Sequence, residues 1–172
     1  SQAFLRIDEE AARIPPGCDG LFASGMLAGT VMPLNGDLRG AFIGHTWSHT
    51  PAHFYRALVE NFAYSLKTAI MRINAMYPQY SGRSVIRMIG GGAESAVCAQ
   101  IYADVLGIPV ETLQGDDLAL WGGCLLGAKG IGMIDDLQEY AKAHVRIRAR
   151  YEPDPAKTEC YEQYRKRCVR YN

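Results

Sequence analysis

The sequence predicts an α/β domain, and three observations carry that expectation. The run Val85-Ile86-Arg87-Met88-Ile89 has strand character and leads straight into Gly90-Gly91-Gly92-Ala93-Glu94-Ser95, after which an amphipathic helix begins. Strand-like and helix-like stretches alternate along the chain, a pattern that points to parallel pairing in its later part. With 172 residues, 48% of them hydrophobic, the chain suits one domain and can bury a sizeable core.

Residues 1–13 place apolar and charged side chains at helical spacing, and Pro15-Pro16-Gly17 ends that helix. A short strand is expected at 21–23, then a long loop with Gly25, Gly29, Pro33, Gly36 and Gly40, then a second strand near 41–44. Thr50 caps the next helix with Pro51 at its first position, which suits proline's missing donor and fixed φ. Phe54, Leu58, Phe62, Leu66, Ile70 and Ile73 recur every three or four residues, so this helix runs to about Met76 before Pro78 and Gly82 break it. A strand at 85–89, a helix over 95–106, a strand around Val110 and a helix over 118–131 follow. Asp136 caps a shorter helix to about His144, a strand-like stretch covers 145–150, and Pro155 opens a final helix. The sequence has no internal repeat and no low-complexity segment.

Lys+Arg and Asp+Glu both number 18, so the formal charge is zero. Nucleic acid and anionic membrane surfaces call for a basic excess, and neither is an expected partner. The five cysteines (Cys18, Cys98, Cys124, Cys160, Cys168) are odd in number and include no C-x-x-C pair. Cys98 and Cys124 fall within apolar helical pattern, so buried free thiols in a reducing cytoplasm are expected rather than disulfides. Neither a secretory leader nor a membrane-spanning run is expected from the hydropathy pattern.

The glycine run is the main chemical signal. Strand, glycine turn and helix N-terminus together bring bare backbone N–H groups close to a ligand, where a side chain would block the approach. Gly91, Gly92 and Ala93 are therefore candidate nucleotide-binding residues, offering a surface on which an adenine or ribose can lie flat. Ser95 is a fourth candidate, whose hydroxyl would either cap the helix or bond the nucleotide. Amides at the helix start add about 0.3–1 kcal/mol toward a nearby anion. Glu94 suits a helix N-terminus but would repel a phosphate, so it should point away or the contact should be with the adenosine end. The run is not the G-x-G-x-x-G fingerprint, and the chain has no Gly-Lys-Ser/Thr of a P-loop. A plain αβ turn that needs glycine for its geometry would use the same residues.

Read onward, GGGAESAVCAQIYADVLG (90–107), a short strand at 108–110 and DLALWGGCLLGAKGIG (117–132) form a block. This block resembles the C-terminal domain of the FGGY carbohydrate kinases, most closely the xylulose kinases. Upstream, GLFASGMLAGTVMPLNGDLRGAFIG (20–44) is similar to the family's L-A-G-x-x-x-P and R-G-A-F-x-G loop. The stretch GAFIGHTWSHTPAHFYRALVE (40–60) is similar to the second FGGY signature, with His53, Ala57 and Glu60 in place. Tyr151-Glu152-Pro153-Asp154-Pro155 matches the closing Y-x-P-[DN]-P before a last helix. The likeness is collinear and covers nearly the whole chain.

The resemblance implies a ribonuclease-H-like, actin-type ATPase fold, in which two domains flank a cleft that holds the nucleotide. It implies residues 1–172 to be the C-terminal nucleotide-binding domain of such a kinase, lacking its first strands, with the N-terminal sugar-binding domain elsewhere. ATP with Mg2+ is the implied cofactor, a ketopentose, D-xylulose first, the implied acceptor, and a homodimer a common assembly of relatives. The catalytic aspartate would lie upstream, so no catalytic residue is expected within this chain. Adenosine, rather than the γ-phosphate, is what the family places at the glycine turn. Gln100 and Asp104 match the family pattern but read as packing and polar-face residues. Departures are His45 and Leu58 in the signature, Asp117 for a glutamate and Trp121 for a leucine, and Glu94 where many relatives carry Lys or Arg. A non-catalytic nucleotide-binding or interaction module of the same fold is the alternative.

The remaining candidates have simpler readings. His45, His49 and His53 stand four apart, but Pro51 starts the helix after the first two, so no shared face for a metal is expected. The basic end, from Lys157 to Arg170, is interleaved with Glu159 and Glu162 and reads as a solvated terminal helix. Ser48 and Cys98 lack partners for nucleophilic catalysis. The 25–33 loop, with Met26 or Leu27, reads as structural, with a grazing contact to a sugar as the other option.

Overall fold

In the computed structural model, which describes residues 2–25, 30–31, 34–115 and 117–171, the chain opens with helix α1 (Gln2–Ala12) and strand β1 (Phe22–Ser24). The expected long loop contains a hairpin of two-residue strands, β2 (Thr30–Val31) and β3 (Leu34–Asn35), too short to leave an alternating pattern. Met26 and Leu27 lie outside the described residues. Strand β4 (Ala41–Ile43) pairs antiparallel with β1, Phe22 opposite Ile43.

Helix α2 (Pro51–Met76) has the expected extent. Its first turn is closed by the Thr50 amide, which donates to His53 Nδ1 at 3.1 Å. The buried face, however, is not the periodic apolar one. Ala52, Ala57, Val59, Ala63 and Tyr64 are buried, while Phe62 is 45% and Ile73 38% exposed. Small residues on the inner face let other elements approach closely, so the large side chains are displaced outward.

Strand β5 (Ile86–Met88), helix α3 (Ala96–Leu106) and strand β6 (Val110–Leu113) form a crossover unit whose strands are parallel, Ile86 opposite Val110. Helices α4 (Leu118–Gly130) and α5 (Leu137–His144) then lead to β7 (Ile147–Tyr151) and the last helix α6 (Pro155–Tyr171). β7 pairs antiparallel with β6, Val110 opposite Tyr151, which departs from the parallel expectation. Two helices rather than one precede β7, so the chain enters the sheet from its other end. Glu111 of β6 sits buried between Arg87 of β5 at 3.3 Å and Arg150 of β7 at 2.8 Å, tying all three strands.

One core cluster joins α2, α3 and α6 through Ala63, Tyr64, Ile101, Val105 and Tyr161. A second joins Ile14, Cys18, Leu21 and Ala23 to Ala52 and Ala57 of α2. Between them lies a buried polar network. Glu60 accepts from Arg56 Nε at 3.0 Å, from the Gly17 amide at 3.1 Å and from Tyr64 OH at 3.2 Å. Arg56 also donates to the Ala11 carbonyl and to Tyr161 OH. Gly17 has φ +83°, and a Cβ there would enter the Tyr164 ring, so only glycine fits beside this carboxylate. Burial raises the Tyr161 hydroxyl and the Cys18 thiol.

Two expectations are corrected here. Cys124 is exposed rather than buried, because α4 is apolar all round and buries only Leu125 among its residues. Cys18, Cys98 and Cys160 are free thiols, the first two buried. Helix α6 is not simply solvated, since Tyr161 and Arg165 are buried. Glu162 of α6 takes a fork of two bonds from Arg165, at 2.7 and 2.9 Å, and lies 3.4 Å from Lys67 of α2. The Arg165 bonds, with help from Lys67, hold its carboxyl well below the ordinary 4.5, at about 2. A carboxyl lowered on folding contributes stability above its unfolded value and loses it as pH falls toward the folded one. Wild-type stability is therefore expected to fall between about pH 4.5 and about pH 2 more steeply than that of Glu162→Gln. Parallel urea midpoints for the two chains over that interval would reject a role for this pair.

Candidate functional site

Gly90 follows β5 with φ +83°, a left-handed conformation that glycine adopts without strain. The chain then makes a tight turn over Gly91–Glu94, closed by the Ala93 amide to the Gly90 carbonyl at 2.9 Å. Ser95 takes the N-cap of α3, its Oγ accepting from the Cys98 amide at 3.0 Å. Of the two roles open to that hydroxyl, capping is the one formed. Ala93 and Ser95 are buried, whereas Gly91 and Gly92 are exposed.

The two middle glycines have no internal reason to be glycine. Neither has a positive φ. A Cβ at Gly91 would meet nothing within 4 Å, and one at Gly92 only the terminal methyl of Met88 at 3.0 Å. The bare main chain faces outward, onto two cavities.

The first cavity, about 370 Å³, lies between the turn and the start of α4. Its walls include Gly91 and Ala93 on one side and Gly115 and Ala119 on the other, with Leu113 and Leu118 supplying apolar surface. Two walls nearly free of side chains admit a flat ring. Among the described residues its charged lining residues are both acidic, Glu94 and Asp117. The second cavity, about 530 Å³, is mostly apolar and is lined by Gly91, Gly92 and Ser95 together with Phe4, Met88 and Tyr102. Inside it Tyr55 OH donates to Asp8 Oδ1 at 2.8 Å and lies 3.3 Å from Cys98 Sγ. Burial first, then these two hydrogen bonds, raise the Tyr55 hydroxyl. The structure thus joins Gly91, Gly92, Ala93 and Ser95 in one turn but divides them between two cavities, with Gly91 on both.

Glu94 does not simply point away. Its Oε2 receives Arg148 Nη1 of β7 at 2.7 Å, and Arg148 Nη2 donates to the Ala93 carbonyl. Arg148 clamps the turn from 54 positions away, and no local pattern marks it. Of the packing and polar-face readings, Asp104 takes the packing one, since it is buried. It accepts from the Asp154 amide at 2.9 Å and from Gln100 at 2.8 Å, while Gln100 also donates to the Glu152 carbonyl. These two residues hold the Tyr151–Pro155 turn against α3. The three histidine rings do approach, with centroids 5.9 and 5.2 Å apart along the series. His53 Nε2 lies 3.2 Å from Asp19, and His49 Nδ1 accepts from the Thr46 amide at 2.9 Å. Among the described residues no group of three or more His, Cys, Asp or Glu could hold a metal ion, and no helix is long and apolar enough to cross a membrane.

The chain has the ribonuclease-H-like, actin-type ATPase fold, its parallel strand pair and glycine turn covered by helices, and solved xylulose kinases share it. Residues 5–131 match the family model described as the C-terminal domain of the FGGY family of carbohydrate kinases, and the chain belongs to that family. It is 31% identical over 166 residues to a xylulose kinase of Staphylococcus epidermidis, covering 95% of this chain and 33% of that protein. To a gluconokinase of Bacillus subtilis it is 36% identical over 126 residues, covering 73% of this chain and 24% of that protein. The crystal structure of xylulose kinase from Rhodospirillum rubrum superposes with a TM-score of 0.78 at 30% identity, covering 98% of this chain and 33% of that one. The chain spans about a third of the length of the curated relatives it matches first.

Proposed function

We propose that residues 1–172 form the C-terminal nucleotide-binding domain of an ATP-dependent sugar kinase whose acceptor is a ketopentose, D-xylulose foremost. The reading rests on Gly91 and Gly92, exposed glycines that neither backbone geometry nor packing requires. A ligand lying against the main chain supplies the missing reason. The cavity between the turn and α4 suits adenosine in size and in the glycine and alanine positions that both of its sides contribute. Similarity to xylulose kinases supports the acceptor, while the gluconokinase likeness makes the acceptor the point to test.

In this reading ATP, as its magnesium complex, supplies the γ-phosphoryl group for in-line transfer to a sugar hydroxyl, a reaction dominated by positioning and electrostatics. Gly91 and Ala93, which line that cavity, carry the base and ribose on main chain, and Gly92 borders them on the second cavity. Ser95 and Arg148 fix the turn's shape, through the Cys98 amide and the Ala93 carbonyl. Residues of α4 close the opposite wall and keep water from the ring. The carboxylate that takes the sugar's proton, a contribution of about 10²–10⁴-fold, would come from outside this chain, as would the ligands of magnesium.

A coupled-enzyme assay of the full-length protein against pentuloses, hexuloses, gluconate and glycerol tests the reading. The highest kcat/KM is expected with D-xylulose. A higher value with gluconate or glycerol would replace the acceptor, and no ATP turnover with any sugar would favour a non-catalytic module.

A further inference from the structure

We propose that Glu94, held in place by Arg148, is the carboxylate that recognises the nucleotide's ribose and sets a preference for ribo- over 2′-deoxyribonucleotides. The inference rests on the reading that adenosine lies at the glycine turn. Among the described residues the cavity beside that turn has two charged lining side chains, Glu94 and Asp117, and both are carboxylates. Ionised carboxylates only accept hydrogen bonds. A ligand part that binds there therefore carries donors and little negative charge, which fits sugar hydroxyls and not phosphate.

Glu94 is the better placed of the two. It follows Ala93 directly and lines both cavities, as Gly91 does. Arg148 engages Oε2 alone at 2.7 Å, and Oε1 has no hydrogen bond among the described residues. The same guanidinium binds the Ala93 carbonyl, so the carboxylate is oriented before any ligand arrives. Its charge is also balanced, which lessens repulsion of the phosphates further along the nucleotide. Asp117, in contrast, begins α4 with φ +46°, and among the described residues it has no ion pair to orient it.

A vicinal diol donates two hydrogen bonds, and a carboxylate accepts them through one or both oxygens. Removing the 2′-hydroxyl leaves an acceptor unpaired, and a hydrogen bond to a charged group is worth about ten- to a hundredfold in binding. An exposed ion pair with no ligand role would matter far less. Glu94 is 68% exposed, so its replacement leaves packing intact.

The test measures KM for ATP and for 2′-deoxy-ATP with the full-length protein. In the wild type the deoxynucleotide is expected to show a KM higher by about tenfold or more. In Glu94→Ala the ratio should fall to within about threefold, through a rise in the KM for ATP, and Arg148→Ala should give a partial fall. Equal KM values in the wild type would overturn the inference. So would a ratio that survives Glu94→Ala, or one that survives it and disappears in Asp117→Asn, which would move the role to Asp117. Gly91→Val, on the wall of both cavities, separates this failure from failure of the parent reading: weakened ATP binding with no ribose preference sinks only the role of Glu94, and unchanged ATP binding sinks both.

Discussion

Glu60→Ala is expected to destabilise the chain by about 3–5 kcal/mol, the range for removing one partner of a buried ion pair. Glu60 is 3% and Arg56 6% exposed. With the carboxylate gone, the Arg56 guanidinium keeps, among the described residues, the Ala11 carbonyl and Tyr161 OH, and the Gly17 amide and Tyr64 hydroxyl lose Glu60 as an acceptor. Burial pushes the Glu60 carboxyl up, against the pull of Arg56, the Gly17 amide and Tyr64. Desolvation thus offsets much of what the pair gains, and most of the loss is the penalty for the groups left behind. Two further variants separate these contributions. Arg56→Ala should cost a similar amount, and Arg56→Met with Glu60→Leu should recover a large part, because no buried charge remains. Urea denaturation of the three variants measures the coupling directly. Losses that simply add, each below about 1 kcal/mol, would show that the network does not organise this core.

That network clarifies how far the sequence could be read. Helix α2 was legible because Thr50-Pro51 marks its start and apolar residues recur for six turns. Its buried face was not, since the eye follows Phe62 and Ile73 while packing selects Ala57, Ala63 and the signature residue Glu60. A buried glutamate looks like any surface glutamate until its donors are known, and these come from Gly17, Arg56 and Tyr64. The glycine turn was legible from strand to cap, because the Ala93–Gly90 bond that closes it and the Ser95 cap are local. Arg148 was hidden for the opposite reason: a side chain on β7 reaches a turn 54 residues earlier, and nothing in Ile147–Tyr151 announces it. Asp104 and Gln100 behave alike, their partners being main-chain groups of a distant turn. Strand β7 was found, but its direction was not, because direction depends on how many helices the chain traverses before it.

Gly91→Val is expected to weaken ADP binding to the full-length protein by more than about tenfold, as a branched side chain takes the place of a flat ligand against the main chain. The substitution tests the site cleanly because the fold tolerates it. Gly91 has no left-handed backbone, and its added Cβ would meet nothing within 4 Å. Stability should therefore stay within about 1 kcal/mol of wild type, the range of a substitution that breaks no buried contact. Gly91→Ala should fall between the two in affinity. Gly90→Val provides the contrast, since φ +83° forces strain on any side chain and the loss should register in urea as well as in binding. Isothermal titration with ADP, beside a denaturation curve for each variant, separates steric exclusion from misfolding. A folded Gly91→Val protein that binds ADP like the wild type would remove the turn from the nucleotide site. The exposed pair Gly91 and Gly92 would then lack both an internal and an external cause.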